Sequence, residues 1–186
     1  MVLAPKQHYA NCLEIDEQVQ TEMRNFQKSL VAYYQEVFKM QAVFIETSIE
    51  SETGHASIDC VGVPESEEMV DLELYFKKSL QDDDAEWATH KALIDTKARK
   101  GQIWKCLPES GQFNYVHIDF NGVGGFAHII EDARRFGPLK ALEVLGGALG
   151  LDFVNLTIPL RKEKAEGHAR RVRALFEKYD WTGYKK

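Results

Sequence analysis

The sequence predicts an α+β protein: an antiparallel sheet with helices, followed by a small α+β unit with a glycine-rich β-hairpin and a basic C-terminal helix. Three observations predict it. A long stretch at helical spacing precedes two β-rich runs separated by a turn. Two further β-rich runs bracket Asn121-Gly122-Val123-Gly124-Gly125, a hairpin connection. The chain closes on a Lys/Arg-dense segment in which apolar residues recur at helical intervals.

The elements follow in order. Val19, Met23, Phe26, Leu30, Tyr34 and Phe38 make one apolar stripe, so a helix is expected from Asp16 to Phe38 with Asp16 as N-cap. Ala42–Ile49 alternates, with Val43, Ile45, Thr47 and Ile49 on one face, and His55–Val63 is a second strand ended by Pro64. The two form an antiparallel hairpin. Ser66 caps a helix to Leu80, with Glu67 and Glu68 in the first turn where the helix dipole favours acids. A further helix is expected from Asp82 to about Asp95, anchored by Trp87, Leu93 and Ile94. Lys97–Gly111 is mixed and carries the boundary between a unit at 1–100 and a unit at 101–186.

Phe113–Phe120 and Phe126–Glu131 are the strands of the glycine-rich hairpin. With Phe120 opposite Phe126, His117 and His128 face opposite sides of the sheet. Pro138 suits the first turn of a helix running to about Leu149. The last helix runs from about Lys162 to Tyr179, with Ala169, Val172, Leu175 and Phe176 inward.

Composition narrows the function classes. At 186 residues, 44% hydrophobic and 28% charged, the chain has enough apolar surface for a real core. No apolar run approaches the roughly 20 residues of a membrane span. The N-terminus lacks the pattern of a signal peptide. Cys12, Cys60 and Cys106 are odd in number and widely spaced, which points to reduced thiols, and no CxxC pair is present. The net charge of −6 is unevenly placed: residues 1–133 carry −12 and residues 134–186 carry +6. Arg161, Lys162, Lys164, Arg170, Arg171 and Arg173 make the basic end, which is either a solvated helix face or a surface for RNA phosphates or an acidic protein.

Val2-Leu3-Ala4-Pro5-Lys6-Gln7-His8 resembles the strand–Pro–x–x–His segment of histidine-triad proteins, and the long helix follows it as it does there. In that superfamily a later strand carries three alternating histidines. Alternation is needed because every second side chain faces the phosphate pocket, and the middle histidine is the nucleophile. Here those positions are His55, Ser57 and Asp59, so the nucleophile is missing and an acid stands where phosphate would sit. A histidine-dependent phosphodiesterase or nucleotide hydrolase is the competing expectation. Some relatives build a structural zinc site from a CxxC pair and two histidines. His8 and His55 occupy the histidine positions and make half a site, to be completed by an upstream cysteine pair, or are hydrogen-bonded scaffold residues. The resemblance also implies earlier strands that would cover the Ala42–Ile49 edge, and hence either a C-terminal fragment of a longer protein or a truncated paralogue.

From about Val2 to Thr182, and most recognisably in its second half, the chain resembles the paired C-terminal domains of the CwfJ family, proteins of late spliceosomes and intron-lariat turnover. Glu86-Trp87 with Lys91-Ala92-Leu93-Ile94-Asp95 is similar to one of its segments. Gly124-Gly125-Phe126-Ala127-His128 with Glu131-Asp132 is similar to its most recognisable string, and Asp180-Trp181-Thr182 to its end. Arg134–Pro138 and Leu151–Ile158 depart from the family pattern. The family's first C-terminal domain is itself histidine-triad-like without the full triad. The resemblance implies a nuclear, non-catalytic scaffold of the post-catalytic intron-lariat complex. Its implied partners are spliceosomal proteins, the intron lariat or small nuclear RNA, and a separate lariat debranching enzyme, with no membrane and no required cofactor. Other chemical signals have plain alternatives. His117 and His128 are either a two-histidine site or core residues, and the glycine-rich turn lacks the Lys-Ser/Thr of a phosphate loop.

Overall fold

A computed structural model of the chain describes residues 1–49, 54–65, 71–82, 93–107, 113–152, 158 and 160–184. The stripe after Asp16 forms α1, Glu17–Tyr33, and it buries Met23, Leu30 and Tyr33 together with Gln20 and Gln27. Asp16 stands at the N-cap but bonds no backbone N–H of the helix; its carboxylate instead accepts the Tyr9 hydroxyl at 2.6 Å. Beyond Tyr33 the helix widens into a π-turn, Tyr34–Phe38, closed by Lys39 at φ 57°. The turn keeps Tyr34 buried, where its hydroxyl donates to the Cys60 carbonyl at 3.0 Å.

Six strands then make one antiparallel sheet. In chain order they are β1 (Val2–Leu3), β2 (Met40–Ser48), β3 (Ile58–Pro64), β4 (Ile94–Asp95), β5 (Asn114–Phe120) and β6 (Gly125–Ile130). Their spatial order is β1-β3-β2-β5-β6-β4. The expected hairpin between the second and third strands is present, with Val43 opposite Val61. The expected exposed edge at Ala42–Ile49 is not: β5 pairs along the other side of β2, with Ile45 opposite Ile118. Ala42 to Glu46 are all buried, the mark of a strand covered on both faces. Strands on both sides of residue 100 therefore share one hydrogen-bonded sheet.

Side-chain alternation divides the core in two. Val43, Ile45, Val116, Ile118, Phe126 and Ile130 face α2 (Leu72–Asp82) and α4 (Lys140–Ala148), against Phe76, Leu80, Val144 and Leu145. The opposite face sets Ala42, Phe44 and Cys60 against Leu30, Tyr33 and Tyr34 at the end of α1. A short helix, α3 (Ala133–Phe136), is capped by Asp132, whose carboxylate accepts the Arg134 N–H at 3.0 Å. The basic helix is α5, Lys162–Phe176, followed by a 3-10 turn, Glu177–Tyr179.

Several expectations need correction. His55–Ser57 does not begin the third strand, which starts at Ile58. The preceding segment is drawn to the N-terminal loop, where the Ala56 N–H donates to the Tyr9 carbonyl at 2.7 Å. Ile94 and Asp95 end no helix; they form β4, with Ile94 opposite Ala127, and so cover the outer edge of β6. Pro138 lies just before α4, whose N-cap is Leu139. Ala169 is exposed; among the described residues α5 packs on the α1 cluster through its last turn, by Leu175 and Phe176. The Ser66 cap and Trp87 fall outside the described residues.

Candidate functional site: a degenerate triad strand and a basic helix

The structure brings His8 and His55 together, with ring centroids 5.3 Å apart and planes tilted by 32°. His55 Nε2 lies 3.0 Å from the Pro5 carbonyl. That bond requires a proton on Nε2 and leaves only Nδ1 for other work. Among the described residues no group of three or more His, Cys, Asp or Glu could hold a metal ion. Two histidines fall short of the four ligands of a structural zinc site, so the described residues do not complete one.

Ser57 and Asp59 follow at the alternating positions. Ser57 is exposed, and its hydroxyl has no hydrogen-bond partner among the described residues, so no base activates it. Burial raises the Asp59 carboxyl above its ordinary range, and the N-terminal ammonium opposes that rise. The three thiols are free. Burial pushes the Cys60 thiol up to about 12 and the Cys12 thiol well above its usual value, so neither is a ready thiolate.

His117 and His128 do not meet. In the observed register Ile118 lies opposite Phe126, and His128 opposite Val116. This is a two-residue slip from the expected pairing, and a slip of two leaves every side chain on its face. His128 therefore points with Val116 into the α2/α4 layer, while His117 lies opposite Ala127 on the α1 side.

On that α1 side His117 joins a row of buried polar groups, of which the sequence did not single out Glu46 and Asp119. Glu46, His117 and Asp119 are each at most 7% exposed. Glu46 Oε1 accepts the Tyr115 hydroxyl and the Cys12 N–H, the latter at 3.0 Å. Burial raises the Glu46 carboxyl despite those bonds. The Thr96 hydroxyl accepts the Gly125 N–H at 3.0 Å and stands 3.2 Å from His117 Nε2. Burial, aided by the nearby Arg24 charge, lowers His117 to about 3, so its ring is neutral. Asp119 accepts the Gly124 N–H and an Arg24 Nη1–H, each at 3.0 Å. Arg24 also donates to the Lys100 and Gly122 carbonyls. The sequence signal for this row is a polar residue at an inward position of a strand: Glu46, His117 and Asp119 each interrupt an apolar run.

These bonds explain the Gly124-Gly125 string. Gly124 has φ 104°, and a Cβ there would sit 2.8 Å from Lys97 Cα and 2.9 Å from the Gly101 nitrogen. Gly124 lets the 96–101 turn pack directly on the hairpin, while a Cβ at Gly125 would collide with the Ile118 carbonyl and the Phe120 ring of β5.

Arg161, Lys162, Lys164, Arg170, Arg171 and Arg173 are all exposed, and none has a carboxylate partner among the described residues. The end of the helix is fixed to α1: Tyr33 meets Phe176 at 5.6 Å and Tyr179 at 5.8 Å, and Lys178 pairs with Glu36 at 3.0 Å. Trp181 lies 5.5 Å from Phe26, so it packs rather than projects.

Fold and site thus define an α+β protein with a histidine-poor triad strand and a cationic terminal helix on one continuous sheet. Two family models match it in succession: "Protein similar to CwfJ C-terminal" over residues 1–77, and "Protein similar to CwfJ C-terminus 2" over residues 86–182. The chain belongs to the CwfJ C-terminal family. It is 35% identical over 152 residues to the mouse protein named CWF19-like protein 2, covering 81% of this chain and 16% of that protein. It is 34% identical over 191 residues to the Caenorhabditis elegans CWF19-like protein 2 homolog, covering 98% of this chain and 38% of that protein. It is 27% identical over 196 residues to the Schizosaccharomyces pombe pre-mRNA-splicing factor cwf19, covering 97% of this chain and 29% of that protein. The chain thus spans well under half the length of these relatives.

Proposed function

We propose that this chain is a non-catalytic, spliceosome-associated scaffold acting in the nucleus in pre-mRNA splicing, in the post-catalytic intron-lariat complex and lariat turnover. The observation that carries it is the double family match together with a relative named as a pre-mRNA-splicing factor. Two features of the chain support the non-catalytic part. The middle triad position is Ser57 with no base against it, and His55 has one ring nitrogen committed to the Pro5 carbonyl.

In this proposal the units at 1–100 and 101–186 present a joint surface. The six cations from Arg161 to Arg173 contact RNA backbone, of the intron lariat or a small nuclear RNA, or an acidic face of a spliceosomal protein. Lariat debranching is left to a separate enzyme. The experiment is crosslinking of the tagged chain in nuclear extract, with sequencing of bound RNA and identification of co-purifying proteins. Lariat introns and small nuclear RNAs should be enriched. A preparation that carries neither spliceosomal RNA nor spliceosomal protein overturns the proposal.

A further inference from the structure

A groove of about 880 Å³ lies between α1 and the Lys97–Lys105 turns, on the flank of α1 that carries Arg24. Its volume is in the range of ordinary ligand sites. The charges that line it are Arg24, Lys28, Lys100 and Lys105 against a single carboxylate, Glu17. This concentration is unusual in its surroundings, since residues 1–133 carry a net charge of −12. Arg24 is already committed to Asp119 and two carbonyls, but Lys28, Lys100 and Lys105 have no carboxylate partner among the described residues.

Two further groups set the chemistry. The Trp104 indole lines the groove and is only half-buried. Gln20 lines it as well, is 8% exposed, and its side-chain amide has no hydrogen-bond partner among the described residues. An amide that lines the groove offers a ligand one acceptor and two donors. Unpaired cations on both walls, an aromatic face and an amide that reads donor and acceptor together match a nucleotide strand: phosphate, base face and base edge.

We propose that this groove binds single-stranded RNA, with a base stacked on Trp104, its edge met by the Gln20 amide, and adjoining phosphates held by Lys28, Lys100 and Lys105. The site is separate from α5 and does not depend on α5 contacting RNA. An acidic peptide would satisfy the lysines but not the indole and the amide together.

The test is fluorescence anisotropy of the 186-residue chain with a labelled eight-nucleotide oligouridine, with AMP and polyglutamate as competitors. Lys28→Glu with Lys105→Glu reverses one cation on each wall at exposed positions; it should weaken binding at least tenfold and leave Tm unchanged. The slope of log affinity against log salt should shrink by about 1.4, two phosphates at roughly 0.7 each for single strands. Gln20→Leu should weaken binding severalfold while Tm stays level or rises, an outcome that a purely structural glutamine would not give. Wild-type affinity in both variants, no measurable affinity of the unaltered chain for the oligonucleotide, or displacement by polyglutamate as effective as by unlabelled RNA would each overturn the proposal. So would AMP competing as well as the oligonucleotide, since a strand would then not be the ligand. A loss seen with Arg170→Glu and Arg173→Glu but not with the groove pair removes the groove and leaves α5 standing, and the converse result removes α5 alone.

Discussion

Arg24 and Asp119 meet at 3.0 Å although 95 residues separate them in the chain. One lies in the segment matched by the first family model and the other in the segment matched by the second. Their side chains are 16% and 1% exposed, so this pair is screened far less than a surface bridge. Removing one partner strands the other: Arg24→Met leaves the Asp119 carboxylate buried with backbone N–H donors of the glycine turn, Gly122 and Gly124, and no cation. A loss of about 3–5 kcal/mol is expected in urea unfolding. Asp119→Asn should cost less, because Arg24 is more accessible to water and keeps two carbonyl acceptors. The double variant should be less damaging than the sum of the two, by roughly 0.5–3 kcal/mol. Additive losses would show that the two residues act independently.

The glycine-rich hairpin makes a sharper comparison. Gly124 and Gly150 both have positive φ, 104° and 63°. A Cβ at Gly150 meets nothing within 4 Å, whereas at Gly124 it collides with the Lys97 and Gly101 backbone. Gly150→Ala should therefore cost only the conformational strain, about 1 kcal/mol. Gly124→Ala should cost that strain plus the displacement of the 96–101 turn, about 3 kcal/mol or more. Thermal unfolding of the two variants side by side checks it, and equal losses would refute the packing role assigned to Gly124.

Buried neutral His117 gives the fold an acid limb. Its folded value is about 3, below the ordinary 6.5. A depressed histidine contributes stability that is complete above 6.5 and is lost as pH falls towards 3, because the unfolded chain takes up a proton that the folded chain refuses. The slope is about 1.4 kcal/mol per pH unit. Glu46 and Asp119 have carboxyls raised by burial, so they act in the opposite sense: their contribution falls as pH rises. Comparison with His117→Gln isolates the histidine. The variant should be less stable at pH 7 for want of its Thr96 contact, yet lose less between pH 6.5 and 4.5 than the unaltered chain. Parallel stability curves over that window would show that His117 is not the group responsible.

Sequence periodicity found most of the elements, and the reasons are local. The α1 stripe from Val19 to Phe38 has one period throughout, and Val43 and Ile45 alternate cleanly. What it missed depends on neighbours distant in sequence. β2 was expected to expose an edge because nothing nearby in the chain reveals that β5, much later in the sequence, returns to it. Ile94 and Asp95 form a strand only because β6 needs a partner on its open side. At the candidate site, the basic residues of α5 and the His55-Ser57-Asp59 alternation were legible as residue types. The Gln20–Trp104–Lys105 groove was not, since its two walls come from segments 80 residues apart and neither carries a motif.

The basic helix carries the last prediction. Arg170 and Arg173 are three residues apart, exposed, and clear of the Leu175–Phe176 contact that holds α5 to α1. Arg170→Glu with Arg173→Glu should therefore leave Tm within about 1 °C of the unaltered chain, because surface substitutions away from packing change little. Phe176→Ala, by contrast, removes the ring packed edge-on against Tyr33 and should lower stability by about 2–3 kcal/mol. If α5 contacts RNA backbone, the arginine pair weakens binding by a similar factor for every sequence tried, because phosphate contacts carry no base information. The salt slope should fall by about 1.4 for a single strand. Phe176→Ala should weaken binding only where the helix undocks, and it should leave the slope of the remaining folded protein unchanged. Binding that ignores both salt and the arginine pair would exclude α5 as an RNA contact and leave it as a docking surface for an acidic protein.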